Sequence, residues 1–168
     1  MEIPTLFIFS GLPASGKTTL ARHLAADRGA VYLRVDTIEQ GIRDLCEFQV
    51  EGEGYRLAYR VAADNLRLGL SVVADSCNPI ELTRREWEAV AQSENANFVN
   101  VEVVCSDTLE HRRRVESRTS AVPNMKLPTW DEVISREYHP WSVPRVTIDT
   151  EGKSVEASCR ELSALMKR

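Results

Sequence analysis

The stretch that most restricts this chain is Gly11-Leu12-Pro13-Ala14-Ser15-Gly16-Lys17-Thr18, a G-x-x-x-x-G-K-T string. Two glycines at this spacing, followed by a lysine and a hydroxyl residue, make a loop that wraps a polyphosphate when a strand precedes it and a helix follows. Both flanks read that way. Thr5 to Ser10 (TLFIFS) is a short, apolar, aromatic-rich run, as a buried strand is. Beyond Lys17, Leu20, Ala21, Leu24 and Ala25 recur at helical spacing. Gly11 and Gly16 lack a Cβ, so the backbone can turn tightly and approach an anion. The cradle is then Gly11 with Pro13, Ala14, Ser15, Gly16, Lys17, Thr18 and Thr19, its N–H groups aided by the helix dipole. Lys17 is expected to reach from the helix start into solvent and toward the outer phosphates of ATP, and Thr18 to offer a hydroxyl to Mg²⁺. The plainer alternative is a glycine-rich turn with a solvated lysine.

At 168 residues the chain reads as one domain, long enough to bury an ordinary core. A formal charge of −4 disfavours a general nucleic-acid binder, which is usually basic, though a local basic groove is compatible with it. Cys46, Cys77, Cys105 and Cys159 are scattered, with neither a C-x-x-C pair nor a Cys/His metal spacing. They read as reduced thiols in a cytoplasmic protein, Cys105 as a core residue. The start, MEIPTLFIFSG, has no basic n-region, and its apolar run is too short for a signal peptide or a membrane span.

Four more apolar runs follow the first: Ala30 to Asp36, Leu70 to Ser76, Phe98 to Ser106 and Arg145 to Thr150. Helical stretches separate them. Thr37 to Cys46 is short; Tyr55 to Leu68 places Leu57, Val61, Ala62 and Leu66 on one side. Glu81 to Ser93 carries Trp87, Val90 and Ala91, and Ser154 to Lys167 carries Val155, Cys159, Leu162 and Leu165. Alternating strands and helices predict an α/β fold of three layers, a parallel sheet with helices on both faces.

In such a sheet, ligands bind at the carboxyl ends of the strands. Asp36 and Asp75 close the second and third runs, so two carboxylates stand at the edge that carries the phosphate loop. Together they suit two tasks, holding Mg²⁺ and activating a hydroxyl nucleophile. For each the plainer role is a helix N-cap; Glu39, three residues after Asp36, gives capping-box spacing. Arg114 and Arg118, four apart, are predicted to share a helix face and to stabilise a transferring phosphoryl group, against a solvated Glu110–Arg114 pair. They lead into Thr119 to Trp130, a segment with Pro123 and Pro128 whose irregularity suits a lid, and Asp131 to His139 reads as helix after it. Arg43, seven residues after Asp36, could face the same cleft. His23, His111 and His139 read as surface or packing residues, and Trp87, Trp130 and Trp141 as core or lid packing. Asp149-Thr-Glu-Gly152 matches a D-x-x-G string but lies too late in the chain, with no N-K-x-D after it.

GLPASGKTTLAR, VDTIEQGIR, VVADSCNP, HRRRVESR and REYHPW…RVTIDT together resemble the small P-loop kinases that phosphorylate hydroxyl groups. These include chloramphenicol phosphotransferase, gluconate, shikimate and adenylylsulfate kinases, the polynucleotide 5′-kinase domain and, nearest in pattern, the "AAA domain" group of kinases. The resemblance spans nearly the whole chain and implies a five-stranded parallel sheet of order 2-3-1-4-5, with a lid region around residues 107–140. It further implies that Asp75 holds Mg²⁺ through water and that Asp36 is the general base beside the acceptor hydroxyl. Arg43 would contact substrate, and Arg114 and Arg118 would be lid arginines. The implied reaction is transfer of the γ-phosphoryl of ATP to a small-molecule hydroxyl. The alternatives are a polynucleotide or nucleoside 5′-kinase, and a nucleotide-binding switch or NTPase acting on a protein. EFQVEGEGYRLAYR matches no acceptor motif, so the acceptor stays open.

Overall fold

The computed structural model describes residues 3–166. Five strands form one parallel sheet: β1 (Thr5–Ser10), β2 (Val31–Arg34), β3 (Val72–Asp75), β4 (Asn97–Val104) and β5 (Val146–Asp149). Their order is β2-β3-β1-β4-β5, as the resemblance implied. The helices are α1 (Lys17–Arg28), α2 (Val35–Cys46), α3 (Glu53–Arg67), α4 (Glu81–Ser93), α5 (Thr108–Ser117), α6 (Trp130–Ile134) and α7 (Val155–Leu165). Two buried clusters cover the two faces of the sheet. Phe7, Phe9, Val73, Val101, Val103 and Ile148 pack against α1 and α7 through Leu20, Leu24, Cys159 and Leu162. Leu6, Ile8, Val72 and Ala74 pack against α3 and α4 through Ala58, Ala62, Leu66 and Trp87. The alternation along β1 is therefore two-sided, and a strand buried on both faces reads as a continuous apolar run.

Several expectations need correction. The second strand stops at Arg34, whose partner Asp75 is the last residue of β3; beyond it no neighbour remains to pair with. The chain turns helical at Val35, so Asp36 lies in the first turn of α2 and does not end the strand. Helix α3 begins at Glu53 and buries Gly54, Ala58, Ala62 and Leu66, a face displaced from the expected one: Leu57 and Val61 are exposed. Gly54 is there because a Cβ would lie 2.1 Å from Cγ of Glu39, so its smallness lets α3 seat against α2. On α7, Val155 is exposed while Cys159 and Leu162 are buried; Lys167, in the expected last helix, lies outside the described residues. The helix expected over Asp131 to His139 ends at Ile134. Tertiary contacts take the remainder: the His139 N–H donates to the Pro79 carbonyl, and His139 Nδ1 accepts from the N–H of Glu81, the first residue of α4.

Candidate active site

The loop between β1 and α1 is held in a shape few sequences could adopt. Gly11 has φ 147°, and a Cβ there would sit 2.3 Å from the carbonyl oxygen of Val103, so only glycine fits. Ala14 takes a left-handed φ of 65°, a conformation that costs an L-residue roughly 1–3 kcal/mol and collects at binding sites. The loop is braced from three sides. Gly11 N–H donates to the Cys77 carbonyl (3.1 Å). Thr150 Oγ1 donates to the Ser15 carbonyl (2.8 Å), and His111 Nε2 bonds the Pro13 carbonyl (2.8 Å). His111 is buried and meets Trp130 edge-on at 5.4 Å, which ties the loop to the start of α6. The sequence marked His111 only as a surface or packing residue; a histidine on the apolar side of α5 carries no signal of which carbonyl it will meet.

With its tip so fixed, α1 starts at Lys17 behind a left-handed Gly16, and no side chain caps it. The first-turn N–H groups of a helix have no intrahelical acceptor, so they and the helix dipole are left for an anion. Ser15 Oγ is buried with no hydrogen-bond partner among the described residues. A cradle with free donors and a strained backbone fits a phosphate chain.

Lys17 is not the solvated side chain expected of it. It is buried, and its Nζ lies 3.3 Å from Oδ1 of Asp75. Burial alone would lower its pKa, but Asp75, Asp36 and the Cys77 thiol outweigh that and raise it. Asp75 is the complement: burial pushes its carboxyl up, and Lys17, with hydrogen bonds from Tyr32 and Thr18, holds it below the usual range. Tyr32 donates to Asp75 Oδ2 at 2.7 Å, so both carboxylate oxygens are engaged. The Tyr32 phenol is itself pushed far above its ordinary pKa by burial and by that carboxylate.

One cleft of about 720 Å³ gathers most of the predicted residues. Pro13, Ala14, Gly16, Lys17, Thr18 and Thr19 line its floor, and Asp36 and Arg43 one end; Arg114 and Arg118 line it as well. Gly11, Ser15 and Asp75 lie beneath the floor as supports. Asp36 does not cap α2: no side chain caps that helix, and Glu39 is engaged with Arg43 at 3.5 Å and not with a capping box. Asp36 Oδ2 instead accepts from Arg34 Nη2 at 3.2 Å. Burial pushes the Glu39 carboxyl up, against the pull of Arg43.

The arginine pair does not share a helix face, because α5 ends at Ser117 and Arg118 is extended. Arg114 is a brace. Its Nη1 donates to Thr150 Oγ1 (2.7 Å), and its Nη2 to the Thr150 carbonyl (2.9 Å) and to Glu110. Through Thr150 it supports the loop at Ser15. Arg118 differs: Nε and Nη2 are buried with no hydrogen-bond partner among the described residues. Desolvation lowers its pKa, and the nearby Asp36 opposes that. The cleft also holds cations not singled out beforehand, Arg34, Lys126, Arg136 and Lys153. Charged residues scattered over strand ends, a loop and a helix exit carry no shared spacing, so only the fold brings them together. The D-x-x-G string is a structural turn: Asp149 Oδ1 accepts from the N–H groups of Ser106 and Glu151.

A parallel sheet of this order with a phosphate-type loop after β1 defines the P-loop kinase fold. Residues 6–136 match the family described as "AAA domain", and the chain belongs to it. No curated protein matches the chain. Among solved structures, it is similar over 96% of its length to 97% of Kti12 from Chaetomium thermophilum in complex with ADP-AlF3 (TM-score 0.71, 23% identity). It is also similar over 99% of its length to 94% of a gluconokinase from Sinorhizobium meliloti 1021 (TM-score 0.69, 17% identity). The APS kinase CysC of Mycobacterium tuberculosis, in complex with AMPPNP and APS, aligns over 100% of both chains (TM-score 0.65, 17% identity). Identities this low establish the shared fold. No helix among the described residues is long and apolar enough to cross a membrane.

Proposed function

We propose that the protein transfers the γ-phosphoryl of ATP to a hydroxyl group of a small molecule. The observation that carries this reading is the meeting, in one cleft, of the braced phosphate-type loop and the Asp36 carboxylate. A nucleotide switch needs the first and has no use for the second. Gluconokinase and APS kinase are named for small-molecule substrates, in keeping with this reading.

The loop N–H groups and Lys17 bind the phosphate chain, and Lys17 exchanges part of its attachment to Asp75 for the outer phosphates. Asp36 accepts the acceptor's proton at Oδ1 or Oδ2 as the oxygen attacks phosphorus. Arg118 donates its free N–H groups to the charge that spreads over the transferring group. The hydroxyl of Thr18 would hold Mg²⁺ directly and Asp75, whose oxygens Lys17 and Tyr32 engage, through water, an all-oxygen set that leaves most positions to water and phosphate, as this ion prefers. When bound, the ion would supply neutralisation of charge on the phosphate oxygens. The segment Thr119 to Trp130, of which Thr119, Ser120, Ala121 and residues 125–128 line the cleft, acts as a lid that excludes water.

A small acceptor is favoured over a polynucleotide because the cationic side chains are gathered in one cleft while the chain as a whole carries −4. The test is ATP turnover against a panel of hydroxyl compounds. Turnover that rises sharply with one of them, with phosphate recovered on its oxygen, is the expected result. ATP hydrolysis that responds only to a protein partner overturns the reading.

A further inference from the structure

The strand order divides the cleft. β5 and α7 supply one end, with Thr150, Lys153 and Ser158; β2 and α2 supply the other, with Arg34, Asp36 and Arg43. The phosphate loop, after the central strand, lies between them. Around Asp36, at the second end, the charge is out of balance. Arg34, Arg118 and Arg136 all line this part of the cleft, and the charges of Arg34, Arg136 and Asp36 all act on Arg118. Asp36 engages a single N–H group of this set, Nη2 of Arg34. Nε of Arg34, and Nε and Nη2 of Arg118, are buried without a hydrogen-bond partner among the described residues.

Buried guanidinium N–H groups are costly to leave unmatched, and their fork geometry fits a carboxylate or phosphate. The carboxylates here are Asp36 and Glu39, and Glu39 is engaged with Arg43, so two carboxylates face four arginines, Arg34, Arg43, Arg118 and Arg136. The transferring phosphoryl group accounts for one of them, Arg118, on the mechanism above. Arg34, whose Nε has no partner among the described residues, and Arg136, which lines the same part of the cleft, are then left for a second anionic group.

We infer that the acceptor is itself an anion, an alcohol carrying a phosphate or carboxylate group that Arg34 and Arg136 grip while its hydroxyl faces Asp36. The inference rests on the kinase reading and narrows it. It makes the two arginines specificity determinants: a neutral alcohol would leave the buried Nε of Arg34 unmatched and the excess positive charge at this end of the cleft, to which the exposed Arg136 adds, unanswered. The reaction balances as an ordinary transfer. The acceptor oxygen forms the new P–O bond, the bond to the ADP oxygen breaks with its electron pair, and the hydroxyl proton goes to Asp36.

Two measurements test this. The first is transfer from ATP to matched alcohols: glycerol, glycerate and glycerol 3-phosphate; ribose and ribose 5-phosphate; and a dinucleotide with a 3′-phosphate. The second is calorimetric binding of the same compounds to the protein saturated with AMPPNP, which reads the site whether or not transfer follows. Anionic members of the small-molecule sets should bind and turn over at least 10-fold better than the neutral ones, and the phosphate and carboxylate arms say which anion is meant. Arg34→Gln and Arg136→Gln should weaken binding of the preferred anion at least 10-fold and change AMPPNP affinity less than 2-fold. Transfer to neutral alcohols as good as to anionic ones overturns the inference and leaves the kinase reading standing. So does an AMPPNP affinity that falls in step with the anion's, which would give the arginines to the nucleotide. A preference for the dinucleotide alone replaces the small acceptor by a polynucleotide end. If no anion binds, the inference is wrong whatever the turnover assay reports. Anion binding with no transfer to any alcohol keeps the anion site and removes the kinase.

Discussion

At the residue scale, Asp36 in the cleft and Asp75 beneath its floor have opposite settings. Asp36 is half exposed in the first turn of a helix, where a negative charge suits the dipole, and it meets Arg34 across a partly solvated gap. Such a pair contributes about 0.2–1 kcal/mol. Asp36→Asn should therefore barely move the melting temperature while slowing transfer on the order of 10²–10⁴-fold, with AMPPNP affinity little changed. A variant that loses stability and keeps its rate would reduce Asp36 to a structural partner of Arg34. Asp75 is buried and paired. Its depressed pKa means that its contribution to stability is present above about 3.9 and is lost as pH falls through the lower folded value. The raised pKa of Lys17 gives the mirror image, a contribution present below about 10.4 and lost as pH rises through the higher folded value. Removing Lys17 changes the sign for Asp75, because burial, its largest influence, then loses its main counterweight. Lys17→Met should abolish ATP turnover, and its melting temperature should fall further below wild type at pH 8 than at pH 5. An equal deficit at both values would mean that Asp75 does not depend on Lys17.

At the element scale, the sheet and its helices were legible because each strand is an apolar run and each crossover a periodic one. What escaped was set by partners distant in sequence. β2 ends where β3 ends, which no property of Val35 or Asp36 announces. α6 stops at Ile134 because the following residues are drawn to Arg84, a buried arginine on α4. Its guanidinium donates to the carbonyls of Asn78, Pro79 and His139 and stacks on Trp141 at 4.1 Å and Tyr138 at 4.9 Å. In the sequence it is one more charge on an amphipathic helix. Arg84→Ala should cost about 3 kcal/mol, given roughly 1.5–3 kcal/mol for a hydrogen bond to a charged group and the orphaned carbonyls left behind. For a chain of this size that lowers the melting temperature by about 6–12 °C. A shift within experimental error would show that the 138–141 segment is held by other means.

The segment across the cleft mouth belongs to the same scale. Its irregularity was legible from Pro123 and Pro128, its anchorage was not: Val122 is buried, and Asn124 Nδ2 donates to Asp44 of α2 at 3.2 Å. Beyond the capping box that ties Thr129 to Glu132 at the start of α6, one buried valine and one exposed hydrogen bond are little to hold the ten residues from Thr119 to Pro128. Amide exchange over residues 119–129 should be fast in the free protein and slow when AMPPNP and acceptor are both bound. Full protection without ligand would make the segment a fixed crossover and remove the lid.

At the scale of the whole molecule, charge is sorted. The chain carries −4, yet the cleft is lined by eight lysines and arginines against Asp36 and Glu39. With a Debye length of about 8 Å at physiological salt, a polyanion approaching the exterior meets the acidic remainder, while a small anion inside the cleft meets the cations at contact distance. Size therefore decides which anions the protein can hold. AMPPNP at about 100 times its Kd should stabilise the folded state by about 2.7 kcal/mol, a rise in melting temperature of about 5–11 °C. That rise should shrink as KCl goes from about 0.05 to about 0.5 M, since the contacts are ionic. A single-stranded DNA of about 20 nucleotides, whose binding would rest on phosphate contacts along an open surface, should give no rise at physiological salt. If the oligonucleotide stabilises the protein as strongly as AMPPNP, with a steep salt dependence, the cations act as an exposed track and the sorting of charge by size fails.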